Sequence, residues 1–203
     1  MFEDEYKTIA QFSEGLYKEK GSRFISHAIP VNSLQEVKEQ LEQVRKKFHD
    51  ARHHCYAYRL GFDKSVMRFN DNGEPSGTAG KPIYGQIVSS DLTNILIIVT
   101  RYFGGIKLGT SGLIQAYRSA ARDALEHAEI VVRRVFDQYE IEFDYTRMNE
   151  VMHLLKEEKL EQTNQDFSEH CKVVFNVRKK DSSRIYEMFS QINQVKIRFI
   201  CTL

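Results

Sequence analysis

The segment RYFGGIKLGTSGLIQAYRSAA (101–121) combines four glycines with two cationic residues ahead of an alanine-rich stretch. Glycine lets a backbone approach a ligand without a Cβ in the way, and the first turn of a helix presents unpaired N–H groups at the positive end of its dipole. The pattern therefore indicates an anion site, in particular for phosphate; the alternative is a turn whose Thr110 or Ser111 only caps the helix. The candidate residues are Arg101, Gly104, Gly105, Lys107, Gly109, Thr110, Ser111 and Gly112.

Two common phosphate loops do not match this chain. A Walker A loop requires Ser or Thr after Gly80-Lys81, where Pro82 stands. The dinucleotide fingerprint G-x-G-x-x-G does not follow the apolar run at 95–103. LGTSGL (108–113) is similar to the phosphate loop of small-molecule kinases of the galactokinase and homoserine kinase type, but no matching substrate-binding region follows it.

His53, His54 and Cys55 are residue types that bind metals or act as nucleophiles. On a strand, His53 and Cys55 face one way and His54 faces the other, so the three cannot converge on one ion. The interpretation we favour for Cys55 is a small buried apolar side chain. We therefore expect no metal site, no cofactor and no catalytic residue, and we assign His53, with the adjacent Arg52, to an anion-binding surface.

The loop NDNGEPSGTAGKP (70–82) is the second candidate for chemistry. Asp71 or Glu74 would serve as general acid or base, or as a ligand for a hard cation. Because no catalytic partner is identifiable, we favour an Asx-type turn at Asp71, with Ser76 or Thr78 as a cap. These four residues form a loop of possible function.

Charge is unevenly distributed although the formal net charge is only +1. Residues 45–122 hold 12 Lys/Arg against 5 Asp/Glu, whereas residues 123–203 hold 12 against 15. A local basic excess around a glycine-rich segment favours an anionic partner, and Lys81 and Arg118 join the candidate phosphate-binding residues on this ground. The alternative is a solvated basic face without a partner.

The first part of the chain alternates between strand and helix patterns. YKTI, GLYKEK and RFISHAIPV predict strands, with turns at Glu14-Gly15 and Lys20-Gly21. HHCYAYRL (53–60) alternates as a strand, and ILIIVTRYF (95–103) is typical of a central buried strand. Ser33 has capping-box spacing to Glu36, which predicts a helix whose apolar face comprises Leu34, Val37, Leu41, Val44 and Phe48.

The last 70 residues read as a second domain, almost without glycine and without proline. Their periodicity predicts β-α-β-β-α-β, the ferredoxin-like order, with a short turn at Ser168-Glu169 between the middle strands. We place the boundary near Val132-Arg133, which gives domains at 1–132 and 133–203. The predicted fold class is α+β with two domains.

Four segments, taken in order, resemble the YigZ/IMPACT family: KGSRFI (20–25), HHCYAYRLG (53–61), DNGEPSGTAGKPI (71–83) and TRYFGGIKLGTSGLIQAY (100–117). The last contains the Arg-aromatic-aromatic-Gly-Gly, two residues, Leu-Gly pattern typical of that family. The resemblance covers roughly residues 1–130, with a C-terminal domain of the bacterial YigZ type behind it.

The resemblance implies an N-terminal domain with the fold of ribosomal protein S5 domain 2. It implies a ferredoxin-like C-terminal domain similar to the last domains of elongation factor G. Eukaryotic IMPACT proteins are regarded as regulators of translation that act by protein contact, and nucleic-acid or ribosome binding is the usual suggestion for bacterial members.

The leading expectation is a non-catalytic cytoplasmic protein that contacts RNA or the ribosome in translation or its regulation. The alternatives are an enzyme acting on a phosphorylated small molecule or nucleotide, and a protein-interaction module without an RNA role. Three widely spaced cysteines argue against a disulfide framework, and no apolar run approaches the roughly 20 residues of a membrane span. We therefore expect a reducing compartment and no membrane partner.

Overall fold

The computed structural model describes residues 4–168 and 170–203, which divide into two compact units. One unit comprises residues 6–133; the other comprises residues 134–203 together with residues 4 and 5. Both units combine strands with helices, so the predicted α+β class is confirmed. The domain boundary after residue 132 stays a prediction.

The first unit is built on a five-stranded sheet with the strand order β2-β3-β6-β4-β5. All four strand pairings are antiparallel, and β6 lies at the centre. A separate two-stranded sheet pairs the first strand with the seventh. In chain order the elements are β1 (Glu5–Ile9), β2 (Ser13–Glu19), β3 (Ser22–Pro30), α1 (Leu34–Lys47), β4 (His53–Leu60), β5 (Val66–Asn70), α2 (Gly80–Ser89), β6 (Ile95–Tyr102), α3 (Gly109–Glu126) and β7 (Ile130–Arg134).

The central sheet is covered on both faces, as the continuous apolar run of β6 predicts. Alternate β6 residues such as Leu96 and Ile98 pack in one core with α1, and the intervening Ile97 and Val99 pack in the other with α2 and α3. The basic, glycine-rich segments therefore lie on the opposite side of the sheet from α1.

The capping box of α1 is present with one modification. The backbone N–H of Glu36 donates to Ser33 Oγ at 3.2 Å, but the Glu36 carboxylate accepts from the N–H of Asn32, at 2.9 Å. Val37, Leu41 and Val44 are buried, whereas Leu34 at the first helical position is half exposed. The apolar face of the helix is thus confirmed from its second turn onward.

One local prediction in this unit is wrong, and one strand was not predicted. Glu14-Gly15 is not a turn but part of β2, and a Cβ on Gly15 would lie 2.4 Å from the backbone nitrogen of Ala124. The glycine is there because α3 lies directly on the strand, a close approach that local sequence patterns do not reveal. Strand β5 was missed because it is an exposed edge strand without apolar alternation.

The second unit has the predicted β-α-β-β-α-β order. Its four strands form an antiparallel sheet in the order β11-β8-β10-β9, which places the first and third strands of the unit at the centre. The ferredoxin-like prediction is confirmed, and Glu169 of the predicted Ser168-Glu169 turn lies outside the described residues. The elements are β8 (Phe136–Phe143), α4 (Met148–Glu157), β9 (Glu161–Phe167), β10 (Cys171–Arg178), α5 (Ser182–Ser190) and β11 (Val195–Thr202).

Cys55, Cys171 and Cys201 are all free thiols. In the part of the chain that the structure describes, no helix is long and apolar enough to cross a membrane.

Candidate functional site

The Asp71 side chain organises the loop that joins β5 to α2. Its carboxylate accepts hydrogen bonds from the backbone N–H groups of Gly77, Ala79 and Gly80 at 2.8–2.9 Å. The N-cap residue of α2, Ala79, has no side-chain acceptor, so Asp71 caps this helix from nine residues before its start. The backbone carbonyl oxygen of Asp71 also accepts a hydrogen bond from the N–H of Glu74 at 3.0 Å, and this bond closes the predicted turn.

Glu74 points inward from the same loop and forms a buried ion pair with Arg101 of β6. The Arg101 Nη1 to Glu74 Oε1 distance is 2.7 Å, and the two side chains are only 7% and 4% exposed. Tyr117 of α3 donates its hydroxyl to the same carboxylate oxygen at 2.8 Å. Glu74 thus ties the loop to the central strand and to α3.

This pairing revises the role predicted for Arg101. The sequence suggested that its guanidinium neutralises a ligand phosphate, but most of that charge is compensated inside the unit by Glu74. A buried charge without a partner is costly, and the pair removes that cost. The two residues are 27 positions apart, so no local spacing rule predicts their contact.

Cys55 lies near the Glu74–Arg101 pair, and its thiol is unreactive. Its Sγ is 3.3 Å from the Tyr117 hydroxyl oxygen, and the residue is fully buried. Burial raises the pKa of the Cys55 thiol to about 12, and burial likewise raises the pKa of the Tyr117 phenol. A thiol with such a pKa remains protonated at neutral pH and is a poor nucleophile.

The two histidines of β4 separate as the strand alternation predicts. His53 Nδ1 lies 2.9 Å from the carbonyl oxygen of Asn72, while His54 Nε2 lies 3.1 Å from that of Phe48. Burial lowers the pKa of His54. Among residues 4–168 and 170–203, no group of three or more His, Cys, Asp or Glu side chains is arranged to hold a metal ion.

The start of α3 is held by a close backbone contact. A Cβ on Gly104 would lie 1.9 Å from the carbonyl carbon of Gly21, and the Gly104 N–H donates to Ser22 Oγ at 3.1 Å. Neither Thr110 nor Ser111 caps the helix: its N-cap residue is Leu108, which has no side-chain acceptor. The capping alternative for this segment is therefore wrong, and the first turn of α3 also contains no acidic residue.

Two cavities flank these elements. One, of about 520 Å³, lies between α2 and α3; Lys81 and Arg118 line it, together with Gly77, and no carboxylate does. The other, of about 390 Å³, lies where β6 ends and β4 begins, and Arg52, His53 and Arg101 line it. The predicted cationic residues at these cavities thus form two groups, Lys81 with Arg118 at the first cavity and Arg52 with Arg101 at the second.

The remaining predicted residues line neither of these two cavities, and they differ in exposure. Gly105, Lys107, Gly109, Thr110 and Ser111 are exposed, and Gly112 is half-buried. Ser76 is exposed, whereas Thr78 is buried and donates its hydroxyl to the Pro75 carbonyl oxygen at 2.7 Å.

Sequence reasoning missed two residues of the arrangement. Tyr117 is not among the predicted site residues, although it donates its hydroxyl to the Glu74 carboxylate. Asp50 was not singled out, although it lines the second cavity and accepts a hydrogen bond from the Tyr102 hydroxyl at 2.7 Å. The one available signal for Asp50 was its position among the basic residues 45–54.

This chain is similar in sequence to known proteins of one family. The Impact N-terminal domain matches residues 20–125. IMPACT family member YvyE from Bacillus subtilis is 32% identical over 94% of this chain and 88% of its own, and IMPACT family member YigZ from Escherichia coli is 37% identical over 67% of this chain and 68% of its own. The chain belongs to the IMPACT family.

A solved structure is similar to this chain over both units. The crystal structure of a protein described as hypothetical aligns with a TM-score of 0.73 and 27% sequence identity, over 98% of this chain and 99% of its own.

Proposed function

We propose that this protein is a non-catalytic cytoplasmic RNA-binding protein that acts in translation or its regulation, and that it contacts RNA or the ribosome through the α2–α3 side of its first unit. The observation that carries the proposal is the groove between α2 and α3, which is lined by Lys81 and Arg118 and by no carboxylate.

The charges on this side of the sheet support a polyanionic partner. Within the described residues, Lys81, Lys107 and Arg118 have no carboxylate at ion-pair distance, whereas Asp71 and Glu74 are both occupied by internal hydrogen bonds. A cationic surface whose neighbouring acids are neutralised internally retains its full attraction for phosphate groups.

The same contacts support a non-catalytic role. A general acid or base must reach the proton that it transfers, but Asp71 is held by three backbone N–H groups and Glu74 by Arg101 and Tyr117. The Cys55 thiol is protonated and buried.

The link to translation comes from the family. Eukaryotic IMPACT proteins are regarded as translation regulators, and the first unit, which carries the Impact N-terminal domain match, is also the unit with the basic groove. The location in the cytoplasm is supported by the three free cysteines.

The proposal is tested by the salt dependence of RNA affinity. We expect single-stranded RNA to bind with a negative slope of log affinity against log salt, near 0.7 for each phosphate contacted. Replacing Lys81, Lys107 and Arg118 together by Gln should weaken binding at low salt and reduce the slope by about 2. Fluorescence anisotropy with a labelled oligonucleotide measures both quantities.

A matched control changes the same number of charges on the other face of the sheet. Lys38, Arg45 and Lys46 lie on α1 and are exposed, so their triple replacement by Gln should leave affinity and slope close to those of the parent protein. An equal loss of RNA affinity in both triple variants would contradict an RNA interface on the α2–α3 side. Absence of RNA binding at low salt, with a protein partner retained after nuclease treatment, would favour the protein-interaction alternative.

A further inference from the structure

The second cavity combines a buried cation with an exposed aromatic ring. It lies at the end of β6, has a volume of about 390 Å³, and is lined by Arg101, Tyr102 and Phe103 in succession. That volume falls within the range of small-ligand sites, roughly 300–1,000 Å³. Arg101 is 7% exposed, and within the described residues its buried Nε has no hydrogen-bond partner. A buried donor of this kind is satisfied when a polar group of a ligand reaches it.

The charges of this cavity do not suit a phosphate group. Arg101 is paired with Glu74, and the lining that contains Arg52 also contains the carboxylate of Asp50. The hydrogen bond from the Tyr102 hydroxyl lowers the pKa of Asp50, which keeps this carboxylate ionised at neutral pH. A neutral polar ligand that offers both donors and acceptors suits this lining better than a dianion does.

Phe103 supplies a flat surface at the same place. Its side chain is 58% exposed, although it belongs to the tight segment between β6 and α3. The guanidinium carbon of Arg101 lies 5.6 Å from the centroid of its ring, so the ring already has a cation near it. A single exposed aromatic ring needs no explanation by itself, but here it stands beside an unpaired donor, a carboxylate and a cavity.

We propose that this cavity takes one unpaired nucleobase of a single-stranded RNA, stacked on Phe103, with the base edge facing Asp50 and Arg101. This inference rests on the proposed RNA binding and adds the class of RNA. Lys107, an exposed cation, lies four residues after Phe103 in the chain.

The preference for single strands follows from the geometry of stacking. Bases inside a duplex have both faces covered by their neighbours and are available to an aromatic side chain only after unstacking. Base–aromatic stacking in proteins that bind single strands tolerates any sequence, because every base has a π-face. Phe103 therefore favours single-stranded over duplex RNA, whereas the cations of the α2–α3 groove attract both forms.

The test compares Phe103→Leu with two matched variants. Affinities are measured for oligoadenylate and for an adenine–uracil duplex with the same number of phosphates. We expect Phe103→Leu to weaken oligoadenylate binding by about fivefold or more, the lower end of the contribution of one stacked base, with duplex binding unchanged. Phe103→Tyr keeps the ring, and Phe12→Leu makes the same change at another half-exposed phenylalanine; both should bind as the parent protein does.

The outcomes distinguish this inference from the proposed function. Unchanged oligoadenylate affinity in Phe103→Leu, together with a loss in the Lys81, Lys107 and Arg118 triple variant, would overturn the base pocket and leave RNA binding standing. An equal loss for oligoadenylate and duplex would also overturn it. If the parent protein binds neither RNA, both proposals fail. Since Phe103 is largely exposed, its substitution should not change the melting temperature, which is measured alongside.

Discussion

At the scale of single residues, the two acidic side chains that looked most able to do chemistry serve the fold. Asp71 caps α2, and Glu74 neutralises Arg101 while accepting the Tyr117 hydroxyl. Both keep a nine-residue loop of mostly small and polar residues in one conformation. The cations left to bind phosphate groups are those without an internal carboxylate partner, such as Lys81 and Arg118 in the α2–α3 groove.

The Glu74–Arg101 pair provides a stability prediction at this scale. Glu74→Leu leaves the buried Arg101 guanidinium without its counter-charge, and we expect a loss of about 3–5 kcal/mol in the free energy of unfolding. Adding Arg101→Met removes the orphaned charge and should restore a large part of that loss, because a buried ion pair replaced on both sides by apolar groups is often close to neutral. Urea denaturation followed by circular dichroism measures both variants.

An exposed ion pair is the control for this prediction. Arg122 and Glu126 lie four residues apart on α3 and are both more than 60% exposed. Glu126→Gln should therefore change the free energy of unfolding by at most about 1 kcal/mol. If Glu74→Leu were equally mild, the carboxylate would not hold the loop as described.

At the scale of elements, the contact that positions the start of α3 joins two turns, one after β6 and one between β2 and β3. The segment after β6 touches the turn between β2 and β3 so closely that Gly104 has room for no side chain. This contact sets where α3 begins, and with it the positions of Phe103 and Lys107. The signature pattern of the family is thus partly a packing requirement.

Gly104→Ala tests this packing. The added Cβ would lie 1.9 Å from the carbonyl carbon of Gly21, so the two turns must move apart. We expect a destabilisation of about 1–3 kcal/mol, as for other overpacked sites. The reference change is Gly85→Ala inside α2, where nothing lies within 4 Å of the new Cβ; there alanine should stabilise by about 0.5–1 kcal/mol. Similar effects at both positions would disprove the close-contact account.

At the scale of the whole molecule, charge divides the chain into regions with different expected partners. The basic excess falls in residues 45–122, inside the first unit, whereas residues 123–203 are slightly acidic. Several cations of the second unit are paired on its surface, for example Arg184 with Glu158 and Arg198 with Glu140. The second unit is therefore not expected to contribute to RNA affinity.

Hydrogen exchange of the full chain checks this division. With single-stranded RNA bound, amides near residues 76–81 and 103–112 should exchange more slowly, whereas those of residues 134–203 should be unchanged. The physical reason is that Lys81 and Arg118 line the α2–α3 groove of the first unit without a carboxylate, whereas a cavity of the second unit contains acidic residues, and its Arg184 is paired with Glu158. Protection confined to the second unit would reverse the assignment of the interface.

Much of the fold could be predicted because it follows from local periodicity. β4 has the predicted bounds, the capping box of α1 forms, and the order of the second unit follows from alternation and helical spacing. β5 could not be predicted, since an exposed edge strand has no apolar pattern. The turn predicted at Gly15 is wrong because the residue that requires the glycine, Ala124 of α3, is more than 100 residues away.

For the site, the sequence by itself determined the family, the basic and glycine-rich region, and the separation of His53 from His54 by strand alternation. Only the tertiary structure decided which cationic side chains of the basic region are paired with a carboxylate and which are not. Ion pairing depends on distances across the fold, and contacts such as Glu74–Arg101 and Tyr117–Glu74 join residues 27 and 43 positions apart. For this reason the sequence predicts Arg101 as a phosphate ligand, whereas the structure pairs it with Glu74. Lys81 and Arg118 remain available to a ligand in the α2–α3 groove.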